Sequence, residues 1–339
     1  MSHALREATR RVVAMPVLVL ASLLAAAVVT LASVGLDDQG QTTSAGGYTW
    51  SLTLWYLPVG VMWTWFIRRR NQTIQRPAFW TTLVILLVFG FALDFLLAHS
   101  FFVFPDDAAT LLPEAPAFGA PVPLEEYLFY VGGFLFILLL YVWCDEDFLS
   151  RYNVPDYVET WRRSGRKRVT EFDGLSLAAA VLMIGAAWAY KVSVAPDPYR
   201  GGFPAYFAYL AAAGLTPAVG LLKGTRRFIN WRAFTVVFLA VVAVSILWEV
   251  TLAAPLGWWG YQPPRMLGVV VRVWHDLPLE AVLVWLAASF TTVIIYESVK
   301  VWQASGGRTP AFVPPGVRAR MRQLYYMPRE EPTDGPKTG

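Results

Sequence analysis

The stretch VPLEEYLFYVGGFLFILLLYVW at 122–143 starts on a proline and two glutamates and then runs to its end without a charge. A second stretch, LPLEAVLVWLAASFTTVIIY at 277–296, repeats the pattern with one acid fewer. Each is close to the ~20 residues an α-helix needs to cross the hydrocarbon core of a bilayer. Strands of a membrane barrel would instead alternate apolar and polar residues over ~10 positions. Long unbroken apolar runs therefore predict helices. The same reading places eight spans at about 12–35, 48–67, 79–98, 124–143, 174–194, 203–222, 233–253 and 277–297. The fold class is all-α, a polytopic membrane helical bundle.

Composition agrees. Of 339 residues, 56% are hydrophobic and 15% charged, with a mean hydropathy of +0.46. A soluble domain carries roughly 25% charged residues, so there are too few charges here to cover a soluble protein's surface. The single cysteine, Cys144, excludes an intramolecular disulfide framework and a cysteine metal site. Three histidines (His3, His99 and His275) are too few for a histidine-rich metal cluster.

The formal charge of +4 reads as topology rather than as a nucleic-acid surface. Basic residues crowd alternate loops: Arg6, Arg10 and Arg11; Arg68, Arg69, Arg70 and Arg76; WRRSGRKR at 161–168; KGTRR at 223–227 with Arg232; and the tail. The intervening segments 36–47 and 99–123 hold no Lys or Arg, and the later ones on that side hold Arg200 in one short loop and Arg265 and Arg272 in another. The positive-inside rule puts both termini in the cytoplasm of a multi-pass cell-membrane protein. The first apolar run is longer than the 7–15 residues of a signal h-region and reads as a retained helix.

Shifting the chain by 155 residues aligns its two halves without a gap. Ala78-Phe79 meets Ala233-Phe234, Asp94 meets Glu249, Leu97-Ala98 meets Leu252-Ala253, Phe104 meets Trp259, Pro123-Leu124-Glu125 meets Pro278-Leu279-Glu280, and Tyr141 meets Tyr296. Apolar matches between spans carry little weight, but matched acids at one offset carry more. The domain reading is a four-helix repeat at 1–155, a basic cytoplasmic linker at 156–172, a second four-helix repeat at 173–300, and a mobile tail at 301–339. Four spans per half gives two parallel repeats about a pseudo-two-fold axis along the membrane normal.

Acids inside membrane spans are costly and mark functional sites by default. Asp94 and Glu249 lie late in spans 3 and 7; Glu125 and Glu280 start spans 4 and 8. Glu126 has no counterpart, because position 281 is Ala. Prolines suit the first turn of a helix, and a carboxylate there is favoured by the helix dipole, so a purely structural role for Glu125 and Glu280 competes with a chemical one. Two carboxyls sharing an apolar pocket cannot both ionise at low cost, which keeps one as a neutral acid. The expectation is that these acids surround one central cavity.

Aromatic residues cluster beside the acids, among them Phe104, Tyr127, Tyr130, Trp248, Trp259 and Trp285. Part of this set reads as an interfacial belt. The rest suits carbocation stabilisation, worth roughly 0.5–2 kcal/mol per ring. His99 and His275 read as interfacial polar residues, with His275 titrating close enough to neutrality to assist deprotonation. Lys191 reads as snorkelling to the interface.

The ordered sets ALDF, FFVF and VPLEEYLFYVGGFLFILL in 92–139, and LWEV, LGWWGY and LPLEAVLVWL in 247–286, resemble the repeat domain of the membrane-integral lycopene cyclases, the heterodimeric or fused kind. The resemblance covers about 48–297. It implies redox-neutral, acid-catalysed cyclisation of the ends of lycopene or a related linear carotenoid. Glu125, Glu126, Asp94, Glu280 and Glu249 would be catalytic, and the six aromatics would bind substrate. No cofactor and no metal are implied, and the partners would be lipid, carotenoid and either pathway enzymes or further copies of the chain. The family shows two adjacent acids where this chain has Glu280-Ala281, which bears on the number of rings formed. A proton-coupled carrier, a non-catalytic carotenoid-binding subunit and a carotenoid hydratase are the competing readings. A prenyltransferase lacks its Asp-rich motif here.

Overall fold

The computed structural model describes residues 3–36, 42–68, 75–153 and 172–304, with side chains over 14–35, 44–68, 75–153 and 172–303. The expected linker at 156–172 and tail at 301–339 lie almost wholly outside the described residues. Nine helices are described: α1 (His3–Ala32), α2 (Gly47–Ser51), α3 (Thr53–Arg68) and α4 (Gln75–Phe101), then α5 (Leu124–Phe148), α6 (Leu175–Ser193), α7 (Ala205–Thr225) and α8 (Trp231–Leu256), and α9 (Leu279–Ala304).

Seven of them are long and apolar enough to cross a membrane. The chain is an all-α, multi-pass membrane bundle. The expected span at 48–67 is the exception: the chain turns at Leu52 and splits it into α2 and a 16-residue α3. Polar α2 side chains are spent on tertiary contacts there. Ser51 Oγ bonds the Tyr48 carbonyl at 2.6 Å and accepts from Trp248 Nε1 at 2.7 Å.

Burial sorts the helices into shells. In their most apolar stretches α5 and α9 are 61% and 56% buried, α4 and α8 are 44% each, and α1 and α6 are 22% each. The outer helices display Leu18, Leu20, Leu24, Leu175, Val181 and Leu182 on the surface. An apolar surface of that extent belongs against lipid. Asn230 starts α8 by accepting the Ala233 N–H at 3.2 Å, a helix-start contact typically worth ~1 kcal/mol.

Several elements recur near the 155-residue offset. Glu114–Ala115 pairs antiparallel with Val122–Pro123, and Val270–Val271 pairs with Leu277–Pro278, just before α5 and α9. The prolines thus end these ribbons, one residue outside the first helical turn where the sequence put them. The β-ribbon from Phe102–Val103 to Gly260–Tyr261 joins the two halves on the same side. Deep between α5 and α9, positions 155 apart touch each other: Tyr141 and Tyr296 ring centroids are 5.9 Å apart, and Lys300 Nζ is 3.2 Å from Asp145 Oδ2.

Among the described residues three stretches wind as π-helix: Cys144–Phe148, Leu210–Leu215 and Ile246–Ala253. Such segments leave backbone groups out of the regular ladder and recur at functional sites. Here the first carries Asp145, the second walls the larger cavity and the third carries Glu249.

Candidate active site

All five sequence-selected acids are buried, and they fall into two kinds. Glu125 and Glu280 tie down loops. Glu125 Oε1 accepts from the backbone N–H of Leu111 and of Leu112, each at 3.0 Å, and from Thr49 Oγ1 at 2.5 Å. Glu280 Oε1 accepts the N–H of Leu267, the residue 155 positions after Leu112, at 2.5 Å. A carboxylate oxygen that gathers backbone donors acts as an acceptor, so this pair holds the outer ribbons onto the starts of α5 and α9.

Asp94, Glu126 and Glu249 do something else. Tyr48 donates to Glu126 Oε1, and Asp94 and Glu126 lie within electrostatic reach of each other. The Tyr130 hydroxyl stands beside Asp94, whose oxygens otherwise have no partner among the described residues. Glu249 Oε1 accepts from Tyr261 at 3.2 Å. Burial, reinforced by Glu249, pushes the Tyr261 phenol well above its usual range, so it stays a donor. Asp94, Glu125 and Glu280 are 0% exposed, whereas Glu126 and Glu249 keep 7% and 6%. Those two retain access to space.

Among the described residues the acids do not ring one cavity as expected; two separate cavities lie near them. The larger, about 110 Å³, is an apolar groove at mid-helix. Phe89, Gly90 and Leu93 of α4, Phe129, Tyr130 and Phe134 of α5, Tyr209 and Gly214 of α7, and Trp285 and Ala288 of α9 line it. Asp94 follows a lining residue in sequence, and Tyr130 both lines the groove and reaches Asp94. The smaller, about 30 Å³, is bounded by Ser245, Glu249, Trp274, Ala281 and Trp285. The acids are divided because the centre between them is filled. Tyr206, 2% exposed, lies within electrostatic reach of Glu126, Glu249 and Glu280, and it packs with Phe101 and Phe102 at centroid distances of 4.9 and 5.4 Å.

The six selected aromatics also divide. Tyr130 and Trp285 line the groove. Trp248 and Trp259 stand behind it in a cage: Trp248 stacks on Phe129 at 4.6 Å, and Trp259 lies 4.9 Å from Tyr48. Tyr127 donates to the Pro116 carbonyl at 2.7 Å and anchors a loop, and Phe104 packs at the edge of the tyrosine cluster. Sequence reasoning placed Phe129 beside the first acids, and it missed Tyr206, Tyr209, Tyr48 and Trp55. Of these only Trp55 has a glycine against it among the described residues, a Cβ at Gly132 coming within 3.2 Å of the Trp55 Cβ. Within the groove a Cβ at Gly90 would sit 2.8 Å from the Tyr130 ring, so that ring's seat requires glycine.

Lys191 does not snorkel. It is 0% exposed, and its ammonium donates to the carbonyls of Tyr199 (2.6 Å) and Met266, binding the 195–204 and 260–268 loops together. Three backbone acceptors in reach replace the water a snorkelling lysine seeks. His99 Nε2 lies 2.8 Å from the Ala120 carbonyl. His275 is exposed, and with Asp276 it takes the left-handed conformation, φ 52 and 54°.

A second buried charged cluster, absent from the sequence reading, sits at the opposite ends of α5 and α9. Lys300 Nζ bonds Glu297 at 2.8 Å and Asp145 at 3.2 Å, with all three 0–1% exposed. Tyr141 donates to Glu297 at 3.0 Å. Among the described residues no group of His, Cys, Asp and Glu is arranged to hold a metal ion. No protein-family model, curated protein or solved structure matches the chain.

Proposed function

We propose that the chain is a membrane-integral carotenoid cyclase that closes rings at the ends of lycopene or a related linear carotenoid. One observation carries this reading: an aromatic-walled apolar groove at membrane depth meets, through Tyr130, a buried pair of acids with no cationic partner among the described residues. Burying an unpaired carboxylate is far costlier than burying the acid form, so the pair holds a proton to give. The resemblance of both halves to lycopene cyclases points the same way.

In the proposed chemistry, the Asp94–Glu126 pair gives a proton to the terminal alkene, with Tyr130 at the point of transfer. The tertiary cation that forms is attacked by the neighbouring internal double bond, closing the ring. A proton then leaves the ring to a base, and its position sets the ring type. One proton enters, one leaves and no electrons are transferred, so the stoichiometry needs no flavin, nicotinamide or metal. Phe129, Phe134 and Trp285 face the cation with their rings, and the apolar walls keep water from it. Glu125 and Glu280 are positioning residues, and the two halves are related by the parallel repeat. Cytoplasmic termini in a cell membrane, and association with pathway enzymes or further copies of the chain, belong to the same proposal.

The test is pigment analysis after expression in a lycopene-making bacterial host. Cyclic carotenoid is expected, with purified protein converting lycopene in lipid without added cofactor. Unchanged lycopene that co-purifies with the protein would make it a binding subunit. A proton-coupled carrier is the second reading, favoured by the Asp145–Glu297–Lys300 cluster at the far ends of α5 and α9, since intramembrane ionisable groups also serve proton relays. Pigment-independent proton uptake into vesicles would decide for it.

A further inference from the structure

Trp285 borders both cavities. The groove on one side carries no charged residue in its lining. The pocket on the other side is lined by Glu249 and by Ser245, whose hydroxyl donates to the Val242 carbonyl at 3.0 Å and can still accept. A cavity needs roughly 10–15 Å³ by this measure to hold a water molecule, which then wants two to four polar partners. At about 30 Å³ the pocket meets the size requirement, and the carboxyl and hydroxyl supply partners. Its Trp274 and Leu277 wall adjoins the exposed residues Arg272, Val273, His275 and Asp276. The space exists because Ala281 stands where the first half has Glu126.

The indole between these compartments is held rigidly. It stacks on Trp55 at 4.9 Å and 12°, meets Phe129 edge-on at 5.4 Å and 83°, and is 4% exposed. Such pairs add about 0.5–1.5 kcal/mol each beyond area burial, which is enough to fix a plane.

Resting on the cyclase reading, we infer that Trp285 is a specificity-determining partition: it seals the reaction groove from a water site at Glu249, so that the carbocation closes a ring instead of adding water. With the indole removed, a water oxygen from the pocket bonds to the tertiary cationic carbon. The resulting oxonium returns its extra proton to the Asp94–Glu126 pair, which gave one to the alkene. The net change is alkene plus water to tertiary alcohol, with no electrons transferred.

Two measurements test this, one of them independent of activity. In lipid nanodiscs, X-ray footprinting makes hydroxyl radicals from water held inside the protein and oxidises the side chains beside it. Leu277, in the pocket and 4% exposed, is expected to be oxidised. Ile137, in the groove and 1% exposed, is expected to stay unmodified while Trp285 is present and to be oxidised in Trp285→Leu. Trp285→Ile serves with the same expectations where the leucine variant does not insert. An unmodified Leu277, or equal oxidation of Ile137 with and without the indole, overturns the partition. Turnover in heavy-oxygen water is the second measurement. The native protein should give ring product free of the label, and the Trp285 variant labelled alcohol. A native protein that forms no ring defeats the cyclase reading while the footprinting result stands. A variant that forms only unlabelled ring defeats the partition alone.

Discussion

The starts of α5 and α9 are built alike and perform differently. Each follows a two-residue ribbon ending in proline, and each places a glutamate that accepts a loop N–H, Leu112 to Glu125 and Leu267 to Glu280. The next residue separates them. Glu126 brings a second carboxyl to Asp94 and Tyr48; Ala281 leaves a small cavity beside Glu249. One residue on a common scaffold turns an acid pair into a single acid with space for water. The scaffold glutamates are therefore the recurrent part, and the chemical difference lies in the residue after them.

The largest effect should separate Glu126 and Asp94 from Glu249. Loss of a proton donor costs about 10²–10⁴ in rate. Glu126→Gln and Asp94→Asn are each expected to remove ring formation to that extent while the protein still inserts. Glu249→Gln should stay within about tenfold of the native rate, because Trp285 lies between it and the groove; a tenfold change is about 1.4 kcal/mol of barrier. Rates on lycopene in lipid measure this, and a dead Glu249→Gln with an active Glu126→Gln would reverse the assignment of halves.

Next comes the contact where the halves meet. Lys300→Met strands two buried carboxylates, and breaking a buried pair costs about 3–5 kcal/mol. A marked fall in thermal stability is expected, seen by scanning fluorescence in detergent. Because Asp145 and Lys300 occupy positions 155 apart, the exchange Asp145→Lys with Lys300→Asp should recover much of the loss. No recovery would count against a local two-fold relation there.

Smaller again are the scaffold glutamates. Glu125→Leu and Glu280→Leu leave loop N–H groups without an acceptor, at roughly 1–3 kcal/mol for each buried orphan. Glu125→Leu should be the worse of the two, since its carboxyl serves two amides and Thr49. The smallest effect is expected from Glu125→Gln and Glu280→Gln, which keep an acceptor oxygen. Both should retain ring formation. From sequence, Glu125→Gln would have been expected to abolish activity; its three donors change that expectation, and abolition in Glu125→Gln would restore the adjacent-acid centre.

The bundle was legible in the sequence because the bilayer imposes a length and an apolar composition on every span, and both survive in the order of residues. The acids were legible for the same reason: a charge in such a run stands out. Their buried positions follow from the cost of facing lipid. What each acid does was not legible. Glu125 and Glu126 are neighbours in sequence, yet about 100° apart around the helix, and only the packed loop decided that one meets backbone amides while the other meets Tyr48 and Asp94. Lys191 looked like a residue at a helix end, and Lys300 and Glu297 carried no signal of their own; tertiary contacts buried them against carbonyls and each other. The groove needs Phe129, Tyr209 and Trp285 from three helices, with Gly90 making room, and no local pattern encodes a wall shared by distant segments. Length and hydropathy are properties of the chain; a cavity is a property of how side chains from separate spans fail to fill space.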